Sequence, residues 1–231
     1  MNIIAFDTST ENLGIALKTE KSLYTIALNE SLKHSEKLLP LAETLFKAAC
    51  IKAENIDLVV CSKGPGSFTG LRIGMATAKG IAFALSVPFV SVPTLDFLAF
   101  NLSFFDGAVI PAIDAKRGRY YSAIYEKGTR QTDYLDAEYN EIIELSKTYK
   151  KILLTGPYGS KLYNDILFNK DIADKNIFLD PCSKESKVNV CLEIGADLYS
   201  KGIIDSDDSG PIYIRKSDAE EKSSMSDFLC K

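Results

Sequence analysis

The chain has 231 residues, 46% hydrophobic and 25% charged, an ordinary globular balance with length for one large or two small domains. A formal charge of −4 and a pI near 5.2 exclude a global basic field that would draw the whole molecule to nucleic acid. No apolar run reaches membrane-span length, and "MNIIAFDTST" shows no basic region or cleavage site, so a cytoplasmic protein is expected.

The elements follow in order. "NIIAFD" is a short apolar strand, and "LGIALKT" and "LYTIALN" are two more joined by a charged turn. "SEKLLPLAETLFKAAC" has helical spacing, with Leu38, Ala42, Leu45 and Ala49 on one stripe. Ser35 is its expected N-cap, and Pro40 bends or sets its first turns. "DLVVCS" is a buried-type strand. A glycine-rich stretch then leads into a long helix through "GIAFAL". "PFVSV" is a strand, and "PTLDFLAFNL" starts a helix.

The second half repeats the order. "GAVIPAID" ends in Asp114 as "NIIAFD" ends in Asp7. "RYYSAIYE" and "RQTDYL" form a strand pair around "KGT", and "AEYNEIIELSKTY" is an amphipathic helix. "KILLTGPYG" parallels "LVVCSKGPG". A helix "SKLYNDILF", a strand "NIFL" and a helix "VNVCLEIGADLYSK" complete it. Duplication predicts two similar α/β halves with a cleft between them, 1–104 and 105–204. Residues 205–231 form a C-terminal segment expected to pack back on the first half. It holds the solvated loop "DSDDSG", "PIYIR" as a short strand or docking segment, and a last fifteen residues that are helical or frayed.

Residues 62 to 80, "SKGPGSFTGLRIGMATAKG", raise a choice between holding phosphate and packing closely. The Walker A pattern fails because Gly70 is followed by Leu71 and Arg72, and the dinucleotide pattern fails at Thr69. A backbone anion site at the helix N-terminus stays open. From Thr69 to Ser86 only Arg72 and Lys79 carry charge, and Gly70, Gly74, Ala78 and Ala82 form a row of small residues. Leu71 and Met75 flank one side of the row, Ile73 and Thr77 the other. Such a helix is buried nearly all round. The small-residue face fits either its own sheet or a helix from another chain.

Asp7, followed by Thr8, Ser9 and Thr10, and Asp114, at the equivalent strand end, are the candidate nucleotide and phosphate contacts. In two-lobed ATP-handling proteins strand-end aspartates organise Mg²⁺ and phosphates. Asp before Ser or Thr is equally a common turn. His34 is the one histidine, with no cluster for zinc or iron and no G-x-S-x-G elbow, so neither a metal hydrolase nor a Ser-His-Asp enzyme is read. Lys116, Arg117, Arg119, Tyr120 and Tyr121 form a basic, aromatic patch that is either an RNA contact or a solvated turn. The cysteines 50, 61, 182, 191 and 230 are odd in number and widely spaced, as in a reduced protein with mostly buried thiols.

Together "IIAFDTST", "HSEKLLP", "GPGSFTGLRIGMATAKGIA", "IDAKRGRYY" and "PIYIR" resemble, in order and over nearly the whole chain, the TsaB (YeaZ) family, once grouped with glycoprotease or M22 peptidase-like proteins. The tail after Arg215 matches less clearly. The resemblance implies an ASKHA fold (actin, sugar kinase and Hsp70-like) with duplicated βββαβα, ribonuclease H-like halves. It implies no catalytic residues, no metal, and a non-catalytic role beside TsaD. TsaD transfers threonylcarbamoyl to the tRNA adenosine next to the anticodon. By alignment Thr94 and Leu98 occupy the positions of the two metal-binding histidines of TsaD, and neither replaces an imidazole. The resemblance also implies a four-helix interface with TsaD, or with a second copy as a homodimer. The expected contacts are His34, Leu38, Leu41, Leu45, Thr69, Gly70, Arg72, Ile73, Gly74, Met75, Thr77, Ala78 and Lys79. Arg72 and Lys79 would meet acidic residues at the rim. A TsaE-like ATPase is a further partner. No cofactor is expected to bind this chain tightly alone, ATP or ADP belongs at the joint with the partner, and tRNA contact is indirect or weak. The alternative is an ATP-dependent small-molecule kinase or ATPase of the same superfamily; a peptidase has no nucleophile–base pair to support it.

Overall fold

The computed structural model describes residues 1–29, 33–168 and 176–215. Five apolar segments build the first sheet: β1 (Ile3–Asp7), β2 (Asn12–Lys18), β3 (Leu23–Asn29), β4 (Leu58–Gly64) and β5 (Phe89–Pro93). Their order is β3-β2-β1-β4-β5. β1 pairs antiparallel with β2 and parallel with β4. β1 is buried at every residue because helices cover both faces of the sheet. β3, at the edge, alternates exposed and half-buried residues.

Two helices cover one face, α1 (His34–Ala49) and α2 (Phe68–Leu85). Leu38, Ala42 and Leu45 of α1, with Met75, Ala78 and Ala82 of α2, pack on Ile4, Phe6 and Ile15. Ser35 is not the cap of α1: the helix begins at His34 after Lys33, with no side-chain cap, and Ser35 lies in the first turn. Ser67 caps α2, its Oγ accepting from Gly70 N at 3.3 Å.

The second sheet has the same plan. β6 (Ala108–Asp114), β7 (Tyr120–Ser122), β10 (Leu135–Ala137), β11 (Lys151–Thr155) and β12 (Asn176–Leu179) run in the order β10-β7-β6-β11-β12. β6 pairs antiparallel with β7 and parallel with β11, as β1 does with β2 and β4. The expected strand "RYYSAIYE" is split. Its first part is β7, and its second part, β8 (Tyr125–Glu126), turns back through β9 (Thr129–Arg130) as a small hairpin. "RQTDYL" therefore gives no continuous strand, and β10, which begins at its last residue, Leu135, pairs with β7. Helices α4 (Tyr139–Leu145) and α5 (Gly159–Leu167) cover one face through Ile142, Leu162 and Ile166.

The two halves are not independent in space. α3 (Thr94–Phe100) and α6 (Val188–Ser200) share one cluster with residues of both sheets, including Ile3, Val60, Val109 and Ile113. α6 belongs to the second half by sequence, yet it lies on the first sheet. A side chain at Gly195 would overlap Val60 of β4. The 104/105 boundary thus divides a sequence repeat, while the core crosses it.

Candidate functional site

β1 ends at Asp7, and the turn Thr8–Thr10 that follows is wholly buried. The glycine stretch packs on this turn. A Cβ at Gly66 would collide with the carbonyl of Ser9, one at Gly70 with the carbonyl of Thr8, and one at Gly74 with Thr8 Oγ1. Ser67 N donates to Ser9 O at 2.7 Å, and Thr8 Oγ1 donates to Gly70 O at 2.7 Å. The small-residue row of α2 therefore lets the helix lie against its own chain. Gly70, Gly74 and Ala78 thus face their own chain, and His34, Leu38, Leu45 and Met75 are likewise buried within it.

Between the halves lies a cleft of about 760 Å³. Its lining includes Ser9, His34, Phe68, Thr69, Asp114 and Lys116, but neither Asp7 nor Thr8. Asp7 is turned inward. Its carboxylate accepts from Ser9 N at 3.0 Å and Ser9 Oγ at 2.6 Å, and burial raises its pKa despite these bonds. Asp114 is different. Partial burial would raise its pKa, but hydrogen bonds from Lys116 Nζ (2.6 Å) and Lys116 N (2.8 Å), with the lysine charge, outweigh this and hold it below the ordinary value. The expected pair of strand-end aspartates thus does not converge as two free carboxylates. One is spent inside the fold and the other on a lysine.

The only histidine is also placed here. His34 is 8% exposed, and its Nε2 lies 2.9 Å from the carbonyl of Thr10. A carbonyl only accepts, so Nε2 carries the proton. The basic turn after β6 takes left-handed backbone at Lys116, Arg117 and Gly118. Arg119 leaves the cleft and pairs with Asp136 at 2.8 Å. Tyr120 is fully buried, its hydroxyl bonded to Asp165.

Sequence reasoning did not identify the particular contacts that residues 205–215 make. Asp205 accepts from Ser91 N at 2.6 Å and pairs with Lys63 at 3.2 Å. Ile212 N donates to Lys63 O at 2.7 Å, a single bond that makes no ladder, so "PIYIR" is not a strand. Tyr213 stacks on Phe68 with centroids 4.8 Å apart, and Arg72 Nε donates to Tyr213 Oη at 3.2 Å. Lys79 Nζ donates to the carbonyls of Asp207 and Ser209. Within the chain, Arg72 and Lys79 are both engaged by this strap. Arg215 reaches Asp136 of the second half at 3.8 Å. Residues 216–231 lie outside the described residues.

What α1 and α2 leave facing outward is a second set: Leu39, Thr69, Ala76, Gly80 and Phe83 are exposed, while Leu41, Ile73 and Thr77 are half-buried. Thr94 and Leu98 lie on the buried side of α3, and Thr94 Oγ1 has no hydrogen-bond partner among the described residues. Among the described residues no group of three or more His, Cys, Asp or Glu is placed to hold a metal, and no helix is long and apolar enough to cross a membrane.

Comparison with known proteins agrees with this architecture. The TsaD family, described as tRNA N6-adenosine threonylcarbamoyltransferase, matches residues 29–196. A Bacillus subtilis tRNA threonylcarbamoyladenosine biosynthesis protein TsaB is 38% identical over 129 residues, 54% of this chain and 56% of that protein. The match thus spans little more than half of that relative's length. A Pseudomonas aeruginosa structure with similarity to the peptidase YeaZ aligns with a TM-score of 0.77 at 23% identity, covering 93% of this chain and 99% of that one. Lmo2764 of Listeria monocytogenes, described as an N-acetylmannosamine kinase, aligns with a TM-score of 0.51 at 10% identity over 86% and 100%. The likeness to these structures gives the fold, an actin and Hsp70-like α/β arrangement. The chain belongs to the TsaD family.

Proposed function

We propose that this chain is a non-catalytic scaffold and activator of a TsaD-type transferase that forms threonylcarbamoyladenosine on the tRNA adenosine next to the anticodon. The observation that carries the reading is the core placement of Thr94 and Leu98. On the resemblance to TsaD these two stand at its metal-ligand positions, and here both side chains are buried and pack rather than coordinate. The cleft supports it too, since neither strand-end aspartate is free to organise Mg²⁺ as a kinase of this fold would require.

The partner surface is the outward face of α1 and α2: Leu39, Leu41, Thr69, Ile73, Ala76, Thr77, Gly80 and Phe83. Phe83 is 88% exposed on a helix whose other face is core, and small residues beside it permit close helix approach. The same face serves a second copy of the chain when the partner is absent. An interface of roughly 1,600 Å² in total fits two helices from each side. A TsaE-like ATPase completes the assembly, ATP or ADP occupies the joint with the partner, and tRNA contact by Lys116 and Arg117 is indirect or weak. The repeated strand order supports ribonuclease H-like halves. The free cysteines 50, 61, 182 and 191 support a reducing cytoplasmic setting.

The test is size-exclusion chromatography with light scattering, on the protein alone and then mixed with the TsaD-like protein of the same organism. A self-dimer that gives way to a mixed complex is the expected result. A chain that ignores that partner overturns the reading.

A further inference from the structure

The strap runs along α2 in a definite direction. Asp207 and Ser209 meet Lys79, and Tyr213 meets Arg72 and Phe68, so it travels antiparallel to the helix and arrives at its first turn. Its last described residue, Arg215, pairs with Asp136 at 3.8 Å. At that point the chain stands at the rim of the outward face of α1 and α2. Thr69 and Ile73 belong to that face and line the cleft together with Tyr213 and Arg215.

The outward face holds apolar side chains in solvent. Phe83 is 88% exposed and Leu39 53%, with Leu41 and Ile73 half-buried beside them. A patch of this kind marks a surface that something covers. The chain beyond Arg215 supplies a cover. Residues 216–231, "KSDAEEKSSMSDFLCK", carry three large apolar side chains, Met225, Phe228 and Leu229. Their spacing, i, i+3 and i+4, is that of anchors that enter a groove between helices.

The lengths fit. At about 3.3 Å per residue, the thirteen residues from Arg215 to Phe228 reach up to about 43 Å. The 18 residues of α2 measure about 27 Å. One turn of the chain at the start of α2 therefore brings these side chains to any point on the face, Phe83 at its far end included. A segment tethered so near meets its site at an effective concentration on the order of millimolar. A contact whose own Kd is about millimolar is then about half formed, and a full-sized interface displaces it.

We propose that in the lone chain residues 216–231 fold back and seat Met225, Phe228 and Leu229 on the outward face of α1 and α2, a self-contact that any partner must displace. The proposal rests on the scaffold reading for what that face meets later, and adds how the face is covered before.

Cys230 follows Leu229 directly and serves as the probe. The full chain carries Cys50→Ser and Cys182→Ser, which leaves only the buried Cys61 and Cys191 besides it. A new cysteine is placed by Ala76→Cys on the outward face, or by Leu145→Cys on α4. Leu145 is also exposed, and α4 follows the strand that Arg215 touches, so it too is within reach of the tail. A disulfide needs Cα atoms within about 7 Å, so its rate of formation under a mild oxidant at micromolar chain reports where Cys230 sits. Non-reducing gels read the product.

Ala76→Cys should cross-link within the chain about tenfold faster than Leu145→Cys. Phe228→Ser combined with Leu229→Ser should remove that difference. If Ala76→Cys fails to fold, Thr69→Cys, exposed on the same face, takes its place. Equal rates at the two positions overturn the proposal. So does a difference that survives Phe228→Ser with Leu229→Ser, or a product that is a linked dimer, which would put a second copy on the face. No partner is present in any arm, so failure here leaves the scaffold reading intact, and failure of that reading leaves the cross-link to stand.

Discussion

Gly74 of α2 lies directly over Thr8 at the end of β1, so close that a methyl group on Gly74 would overlap Thr8 Oγ1. The contact joins the glycine-rich helix to the turn after the first strand. It makes Gly74 a folding position.

Gly74→Ala should therefore destabilise the monomer by about 2 kcal/mol, the usual cost of overpacking a closed site. Thr8→Ala removes Oγ1 and leaves its Cβ at 3.3 Å, an easier distance. The double variant Gly74→Ala with Thr8→Ala should be more stable than the two single effects added together. Urea unfolding of all four proteins measures this. Simple additivity would show that the two residues do not meet.

Pairing should instead depend on Ala76, exposed on the outer side of the same helix. Ala76→Glu should change monomer stability by no more than about 0.5 kcal/mol. It should abolish association with a TsaD-like partner or a second copy, as light scattering would record. Unchanged mass in the variant would move the partner surface elsewhere.

Asp7 gives a pH signature. Burial raises its pKa in the folded state, so its contribution to stability is complete below the ordinary carboxylate value, 3.8, and is lost as pH rises through the folded value. Asp7→Asn keeps an oxygen to accept from Ser9 and carries no charge. Its melting temperature should exceed that of the parent at pH 7, and the gap should close as pH falls below 4. A parent protein more stable than Asp7→Asn at pH 7 would mean that a buried counter-charge has been overlooked.

Asp205 anchors the strap. Its carboxylate takes bonds from Ser91 N, Ser91 Oγ and Lys63 Nζ. Asp205→Ala should cost about 2 kcal/mol, as expected for charge-assisted bonds lost at a half-buried site. Hydrogen exchange at Ile212 N should quicken, because its bond to Lys63 O lies downstream of that anchor. Unchanged exchange there would show that Tyr213 and Arg215 hold the strap unaided.

The sequence makes the strands and the duplication plain. Two-sided burial writes itself as continuous apolar runs such as "NIIAFD" and "GAVIPAID". The direction of a face is harder. Gly70, Gly74, Ala78 and Ala82 announce a close neighbour, but the neighbour's identity is a long-range fact: Thr8 lies more than sixty positions earlier. Leu41, Thr69, Ile73 and Thr77 are named among the expected contacts but not told apart from buried ones, since Ile73 and Met75 look alike until one knows which side β1 is on. "PIYIR" has strand composition, yet Pro211 lacks an N–H and its neighbours bond singly to β4 and α2, so of the two readings, short strand or docking segment, composition alone does not choose the second. The cleft half of the site was legible only as chemistry. Asp7 and Asp114 mark strand ends, but the bonds from Ser9 and Lys116 that occupy them belong to local turns.

The crossing of α6 onto the first sheet has a consequence for how the molecule is made. Some ninety residues of chain separate α3 from α6. At roughly 5–20 residues per second, the ribosome needs about 5–20 seconds to deliver the missing helix after the first sheet has emerged. Through that interval β1 and β4 show an uncovered apolar face, the one that Val190, Cys191 and Leu192 later close. The newborn N-terminal portion is thus a substrate for chaperones and a seed for aggregation, and only the arrival of the last helix ends that exposure.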